Sequence, residues 1–337
     1  MGELRARMAI VDHADLHADR AARAAHLVTL AAAGVPVVVL DELDATLHEL
    51  LGEPLATALE AAAGEPPADL ETRERLSVEQ RRAALGQHSL DARWRQVATA
   101  VDLPLPPPPT VSVVASTNRP DYLDNLLAQY AKQTYPTREL VLVLHGDAFG
   151  DGLHERIPGL VDGPVRVVRV DGARNLGEAL NAGVAASRGE ILSKMDDDDW
   201  YGRDHLADLV LALEYSGADL VGKGADFVWL AELGITIRRF TGYAETPSRS
   251  MGGGTLTMPR RTLGRAGGWP AVPTGVDRAL IDAVLATGGR IHRTHGYGYL
   301  LNRHGVGHTW SSAIEYFIGA SQVQRRGLDL ALAACQP

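Results

Sequence analysis

The chain has 337 residues, 45% of them hydrophobic and 22% charged, with 33 lysines and arginines against 42 aspartates and glutamates. This length predicts about two domains, and the formal net charge of -9 argues against sequence-independent nucleic-acid binding, which needs a basic surface. A single cysteine, Cys335, excludes an intrachain disulfide and a cysteine-pair metal site. No apolar run is long enough for a signal peptide or a membrane span, so we expect a cytoplasmic protein with no membrane span.

The first third of the chain alternates short apolar runs with alanine-rich amphipathic stretches. The pattern predicts strands at MAIVD (8–12) and GVPVVVL (34–40) and helices over about 18–33, 43–63 and 77–100. This spacing suggests a small accessory domain over 1–103, either Rossmann-like α/β or helical. Since it holds no catalytic constellation, we expect it to be a scaffold or a docking module.

The proline-rich segment LPLPPPPT (103–110) predicts a stiff extended linker, placed at 104–110, because consecutive prolines neither continue a helix nor donate to a sheet. After it, strands are predicted at 110–117, 139–146, 164–170 and 190–195, helices at 119–133, 176–187 and 203–217, and one or two strands within 218–230. The fold class is therefore α/β, a mostly parallel sheet covered by helices, which binds ligands at the carboxyl ends of its strands. We assign 110–320 to this domain and 321–337 to a C-terminal tail.

Four consecutive carboxylates, Asp196 to Asp199, directly follow the predicted strand EILSKM and precede Trp200-Tyr201. Carboxylates at the end of a buried strand repel each other unless a cation compensates them. Mg²⁺ and Mn²⁺ take one or two such carboxylates together with substrate phosphates. The run therefore predicts a metal clamp on a diphosphate; the alternative is a solvated acidic turn that favours the start of a helix.

Three segments in this order resemble the nucleotide-sugar glycosyltransferases of family 2, which have the GT-A fold. They are VSVVASTNRP, RNLGEALNAGVAASRGEILSKMDDDD and AGGWPAVPTGVDRALIDAV, within about 110–310. The resemblance implies a hexosyltransferase-like enzyme that uses Mn²⁺ or Mg²⁺ to move a sugar from a nucleotide-diphosphate sugar to an acceptor hydroxyl, with inversion at the anomeric carbon.

The resemblance also implies roles on the donor side of the site. It places Asp196 near the ribose and diphosphate, makes Asp198 the metal ligand and leaves an outer-shell contact to Asp199. It assigns nucleotide-sugar binding to Thr117, Arg119, His145, Arg174, Asn175, Asn181, Asp196 and Asp197. The asparagines have an alternative as turn formers and helix caps. Where the family usually has acidic residues that hold the base, this chain has LHGD; UDP is the expected carrier, with the base left open.

On the acceptor side, the resemblance makes Asp277 the general base, which takes the proton of the acceptor hydroxyl. A capping role at the start of the helix RALIDAVLATGG is the alternative for Asp277. After GYGYLLN, which looks like the last strand, RHGVGHTW offers a further metal ligand: His308 is preferred and His304 is the alternative. RSMGGGTLTMPRR (248–261) is expected to be a flexible acceptor-side loop or an ordinary loose connection.

Three other functions are alternatives on the predicted fold. A sugar nucleotidyltransferase needs a glycine-rich phosphate loop after its first strand, and STNRPDYL has no glycine. A non-catalytic nucleotide-sugar-binding protein would tolerate the loss of Asp198 or Asp277, yet both are present. A processive synthase would carry membrane helices and a QxxRW segment, which the sequence lacks. The acceptor, whether carbohydrate, lipid-linked or a small molecule, and the oligomeric state are not indicated.

Overall fold

The computed structural model describes residues 8–150, 152–239, 244–304, 314–319 and 321–336. The chain divides into two compact units, which meet in sequence at Pro106 and Pro107. No helix within the described ranges is both long and apolar enough to cross a membrane.

The first unit is a two-stranded parallel sheet with five helices. Its elements are β1 (Ile10–Asp12), α1 (Arg20–Ala32), β2 (Val37–Val39), α2 (Ala45–Leu51), α3 (Glu53–Glu60), α4 (Leu70–His88) and α5 (Leu90–Ala100). Leucines of the helices pack with the valines of β2 in one core. Two predicted helices are each divided: Gly52, at φ 76°, ends α2, and Ser89 ends α4 and caps α5 through Ala92 N. Helix α4 also begins earlier than predicted, because Asp69 caps its first turn.

The second unit is built on a seven-stranded sheet, in the order β12-β8-β11-β6-β3-β4-β5. These strands are β3 (Val111–Thr117), β4 (Arg138–His145), β5 (Val165–Val170), β6 (Ile191–Met195), β8 (Leu220–Lys223), β11 (Thr257–Pro259) and β12 (Ile291–Thr294). Strand β11 runs antiparallel to both neighbours, and the other pairings are parallel. The mostly parallel α/β fold predicted from the sequence is confirmed.

Helices cover this sheet. They are α6 (Leu123–Ala131), α7 (Leu153–Arg156), α8 (Leu176–Ala186), α9 (His205–Ser216), α10 (Arg260–Arg265) and α11 (Val276–Ala286). Helix α12 (Ile314–Gly319) instead places Phe317 in a separate core with Val228, Leu230 and Ile237. Helix α8 lies directly against β3 and β4, since a Cβ at Gly183 would come within 2.8 Å of Val114 and Val143. The predicted helix 119–133 opens with a 3-10 turn at Pro120–Tyr122 before α6.

A second sheet has five strands, in the order β14-β10-β9-β13-β7. They are β7 (Trp200–Tyr201), β9 (Phe227–Leu230), β10 (Ile235–Arg239), β13 (Tyr299–Arg303) and β14 (Ser321–Arg326). Two expectations were wrong here. The segment GYGYLLN does not hold the last strand, and 321–326 is no tail, because β14 pairs antiparallel with β10. Five of the six residues of SQVQRR are polar or charged, so no apolar alternation indicated this edge strand.

Candidate functional site

The aspartate run lies at the carboxyl end of the central strand of the large sheet. Strand β6 pairs in parallel with β3, so that Asp196 to Asp199 and the end of β3 at Thr117 share one edge. Strand β4 ends at the same edge with His145, because Thr117 pairs with Leu144. Parallel strands present their carboxyl ends together, and this is the edge at which such sheets bind ligands.

Lys194 joins the first aspartate of the run to the predicted base. Its ammonium lies 2.8 Å from Asp196 Oδ1 and 3.0 Å from Asp277 Oδ2. Asp277 stands in the first turn of α11, after Gly275 in the left-handed conformation. Burial raises the pKa of Asp196 to about 6, and Asp277 adds to the rise while Lys194 opposes it. Burial alone would lower the pKa of Lys194, but the two carboxylates raise it. These three groups form the Lys194 cluster.

Asp197 is held from β3 and from the turn that follows it. Thr117 Oγ1 donates to Asp197 Oδ2 at 2.5 Å, and Arg119 donates to the same oxygen through Nε at 3.2 Å. The Arg119 guanidinium also contacts Asp197 Oδ1. The structure thus brings Thr117, Arg119 and Asp197 together, as residues that engage one another.

Asp198 lies between a cation and an imidazole. Its Oδ2 is 2.9 Å from the Arg119 guanidinium and 2.8 Å from His304 Nε2. The ring of Tyr122 stacks on His304 at 5.5 Å and lies under the Arg119 guanidinium at 4.5 Å. His304, the alternative metal ligand, therefore contacts Asp198, whereas His308 lies outside the described residues.

The protein's own cations compensate much of the charge in the run. Burial favours the neutral form of Arg119, yet Asp197 and Asp198 raise its pKa. The repulsion between the aspartates therefore does not by itself require a metal. In the described part of the chain, no three His, Cys, Asp or Glu side chains are arranged around a common metal position. Asp198 and His304 offer a carboxylate oxygen and an imidazole nitrogen 2.8 Å apart, and these are donor atoms that fit a divalent cation.

Asp199 faces inward. It is 1% exposed, and its carboxylate accepts hydrogen bonds from Tyr299 Oη and from the backbone N–H of Asn302, both at 2.8 Å. Burial raises its pKa well above the ordinary value, and the neighbouring Asp198 and Asp196 add to this. Asp199 thus fastens the run to β13. The outer-shell contact expected of Asp199 stays a prediction, and the contacts that the structure shows for this carboxylate are structural.

Three predicted donor residues are engaged elsewhere in the protein. Asn175 caps α8 in a reciprocal capping box with Glu178, and Arg174 pairs with Glu178 at 2.7 Å. Asn181 donates to Trp269 O and accepts from Trp269 N, both at 2.8 Å. Among the described residues, no hydrogen bond or ion pair joins Arg174, Asn175 or Asn181 to the aspartate run. For Asn175 the structure shows the capping alternative. Asn181 lies within α8 and bonds the backbone of Trp269, which is a structural contact but neither a turn nor a cap.

His145 stands at the sheet edge but outside the aspartate cluster. It is half-buried, and its Nε2 lies 2.9 Å from the backbone oxygen of Arg174. This contact links the end of β4 to the turn before α8. His145 therefore lies at the strand ends, the edge at which such sheets bind ligands. One of its ring nitrogens, Nε2, already contacts the backbone oxygen of Arg174.

The glycine-rich turn at 252–254 closes against the Lys194 cluster. A Cβ at Gly254 would come within 2.5 Å of Tyr201 Oη and 2.9 Å of Asp196 Oδ2, and one at Gly253 would overlap the Asp277 carboxylate. Gly252 N donates to Lys223 O at 2.8 Å, which anchors the turn. Residues 252–254 are a packed wall of the site, so they form neither a flexible loop nor a loose connection. Their place on the acceptor side stays a prediction.

Sequence reasoning missed Lys194 and Tyr122. A lysine inside the apolar strand EILSKM was the available signal, since a buried ammonium needs anionic partners. No sequence pattern indicated a role for Tyr122, because its ring contacts His304, which is distant along the chain.

Parts of the chain are similar to known proteins. Residues 112–230 match the model of the family described as Glycosyl transferase family 2. The chain is 29% identical over 134 residues to the succinoglycan biosynthesis protein ExoO of Rhizobium meliloti (strain 1021), which covers 40% of this chain and 37% of the relative. The chain thus spans well under half of that relative's length.

Two solved structures are also similar to the chain. One is S. aureus TarS 1-349 in complex with UDP-GlcNAc, at TM-score 0.49 and 17% identity, covering 63% of this chain and 64% of that one. The other is the mannosyltransferase PcManGT from Pyrobaculum calidifontis in complex with GDP-Man and Mn²⁺, at TM-score 0.46 and 20% identity, covering 67% and 69%.

Proposed function

We propose that this chain, whose residues 112–230 match the model of glycosyl transferase family 2, transfers a sugar from a nucleotide-diphosphate sugar to an acceptor hydroxyl, with inversion. The observation that carries the proposal is the placement of Asp277 beside the aspartate run, joined to Asp196 through one ammonium. A donor-side carboxylate and a base on one cluster are what an in-line displacement needs.

In the proposed reaction, Asp277 accepts the proton of the acceptor hydroxyl. The freed oxygen pair forms the bond to the anomeric carbon while the bond from that carbon to the diphosphate oxygen breaks, and the nucleoside diphosphate leaves with the electron pair. Attack from the face opposite the leaving group inverts the anomeric centre. General base catalysis of this kind contributes roughly 10²–10⁴-fold to a rate.

Donor binding is proposed for the polar groups at the strand ends. Asp196 has a side chain that is 33% exposed, which leaves its second oxygen for a ribose hydroxyl. The Arg119 side chain, 28% exposed, presents positive charge toward a diphosphate. Asp198 and His304 are the residues that would hold Mn²⁺ or Mg²⁺, whose chemistry when bound would be to neutralise charge on the leaving diphosphate. A UDP-sugar is the expected donor.

The test is a panel of nucleotide sugars offered with Mn²⁺ or Mg²⁺. A binding donor raises the melting temperature of the chain, since it stabilises the native state alone, and turnover releases the nucleoside diphosphate. We expect one donor to do both, and Asp198→Ala to abolish metal-dependent turnover. Asp282→Ala is the matched control, because this exposed carboxylate on α11 pairs only with arginines, Arg249 and Arg278, in the described contacts.

Each outcome of this panel has a distinct meaning. Binding without any turnover would support the non-catalytic nucleotide-sugar-binding protein instead. Formation of a nucleotide sugar from a sugar phosphate and a nucleoside triphosphate would support a nucleotidyltransferase. Equal turnover by Asp198→Ala and by Asp282→Ala would contradict the proposed metal ligand.

A further inference from the structure

Lys194 is an unusual residue for its position. It lies in the middle of the sheet on β6, its side chain is 3% exposed, and its backbone pairs with Val114 of β3. A buried ammonium is costly unless anions compensate it, and both Asp196 and Asp277 lie within 3.0 Å. An apolar side chain would satisfy the core of the sheet at this position without that cost.

The partners of Lys194 are far more open than Lys194 itself. The side chains of Asp196 and Asp277 are 33% and 30% exposed, so the ammonium is buried behind two carboxylates that face the site. Within the described residues, Lys194 Nζ is the hydrogen-bond donor seen on Asp277, and Asp277 Oδ1 is buried without a partner. The orientation of the Asp277 carboxylate therefore depends on Lys194.

The second contact links this orientation to the donor side. Asp196 is only two residues from Lys194 along the chain, and its backbone N–H is bonded to Tyr201 Oη at 2.7 Å, so its position is set by the end of β6. Asp277 comes from α11, a separate element. One ammonium thus defines the separation between a carboxylate on the strand and a carboxylate on the helix.

We propose that Lys194 is a positioning residue, which sets the base Asp277 at a defined distance from the donor-binding carboxylate Asp196. This inference rests on the proposed function. In this role Lys194 does not touch the substrate, and its ammonium contacts only the two carboxylates among the reacting groups. It stabilises the ionised form of Asp277 before proton transfer and keeps that carboxylate turned toward the acceptor hydroxyl.

A double-mutant cycle tests this role. We expect Lys194→Met to lower kcat at least about tenfold, within the range that a general base contributes. If Lys194 acts through Asp277, then Lys194→Met should change kcat by less than about twofold in an Asp277→Asn background, because residues that act as a unit are not additive. Donor-induced thermal stabilisation should persist in every variant.

Lys223→Met is the matched control for burial. Lys223 is also a buried lysine paired with an aspartate, since its side chain is 0% exposed and its ammonium lies 2.8 Å from Asp208 Oδ2. Any effect of Lys223→Met on kcat should multiply with that of Asp277→Asn, as expected for two independent sites. A merely structural Lys194 would behave in the same multiplicative way, and that result would overturn the positioning role.

Unfolding of the same four variants of the Lys194–Asp277 cycle gives a readout that needs no turnover. We expect the two substitutions to couple in denaturant unfolding, so that the double variant is more stable than the sum of the single effects implies. Absence of this coupling would overturn the inference even in an active enzyme. If no donor binds or reacts, the proposed function fails and the role in transfer fails with it, whereas additive kinetics in an active enzyme overturn only the role of Lys194.

Discussion

Two buried lysines of the second unit, each paired with aspartate, differ in what surrounds their partners. Lys223 contacts Asp208, whose side chain is 3% exposed, and the backbone oxygen of Tyr297 at 2.5 Å. Lys194 contacts Asp196 and Asp277, whose side chains are about a third exposed. The first pair is closed, in that protein groups surround it, including His295, whose Nε2 lies 3.4 Å from Asp208 Oδ2. The second pair leaves carboxylate surface open at the strand ends.

The exposure of a polar group and of its partners therefore distinguishes structural groups from candidate functional groups better than residue type does. Asp199, Asn175 and Asn181 are closed in the same sense as Lys223, since described protein groups take up their hydrogen bonds. Asp196 and Asp277 are open. Groups that are closed are expected to govern stability, and groups that are open are expected to govern turnover.

Among the open groups, removing the proposed base Asp277 should give the largest effect on turnover. We expect Asp277→Asn to lower kcat by roughly 10²–10⁴-fold, because it takes away the proton acceptor, while donor-induced thermal stabilisation is kept. Steady-state kinetics and thermal shifts of the same preparation measure both. Asp282→Asn, an exposed substitution on the same helix, is the control; an unchanged kcat in Asp277→Asn would place the base elsewhere.

Breaking the closed pair should cost stability. We expect Lys223→Met to lower the free energy of unfolding by about 3–5 kcal/mol, because it leaves the buried Asp208 carboxylate without its cation. Replacing both partners, as in Lys223→Met with Asp208→Leu, should recover much of that loss. Denaturant unfolding measures it. A loss under ~1 kcal/mol, which is typical of a solvent-exposed ion pair, would show that the Lys223–Asp208 pair is not shielded from water.

The reactivity of the Cys335 thiol measures local opening around the closed Lys223–Asp208 pair. Burial raises its pKa to about 12, and its Sγ lies 3.6 Å from the Trp200 oxygen, directly after the aspartate run. Only the thiolate reacts, so labelling at pH 8 should be at least ~100-fold slower in the native chain than in denaturant. Lys223→Met should speed native labelling at least about tenfold through local opening, and Lys194→Met should not. Equal acceleration of Cys335 labelling by Lys223→Met and Lys194→Met would contradict the distinction between the two lysines.

The smallest effect belongs to Asn175. We expect Asn175→Ala to cost about 1 kcal/mol of stability through loss of the α8 cap and to leave the donor-induced thermal shift unchanged. Asn175→Asp, which can still cap the helix, should lose less. Loss of the donor-induced shift in Asn175→Ala without loss of stability would restore this residue to the nucleotide site.

The sequence predicted the strands that form the site better than the residues that fill it. Strand β6 and the aspartates after it were visible because an apolar run followed by four acids is a local pattern. Lys194 and Tyr122 escaped because their roles come from contacts across elements. Asn175 was ambiguous, since an asparagine before a helix suits a cap and a ligand equally well. Strand β14 lacked an apolar pattern because it is an edge strand, whose faces need little burial.

The stereochemistry of the first product tests most directly the claim that Asp277 serves as the base on this cluster. Water can stand in for the acceptor, so the donor that stabilises the chain is hydrolysed with Mn²⁺ or Mg²⁺ and the released sugar is followed by NMR before its anomers equilibrate. We expect the sugar to appear with the configuration opposite to that of the donor, and Asp277→Asn to suppress its release. A first product that retains the donor's configuration would contradict the assignment of Asp277.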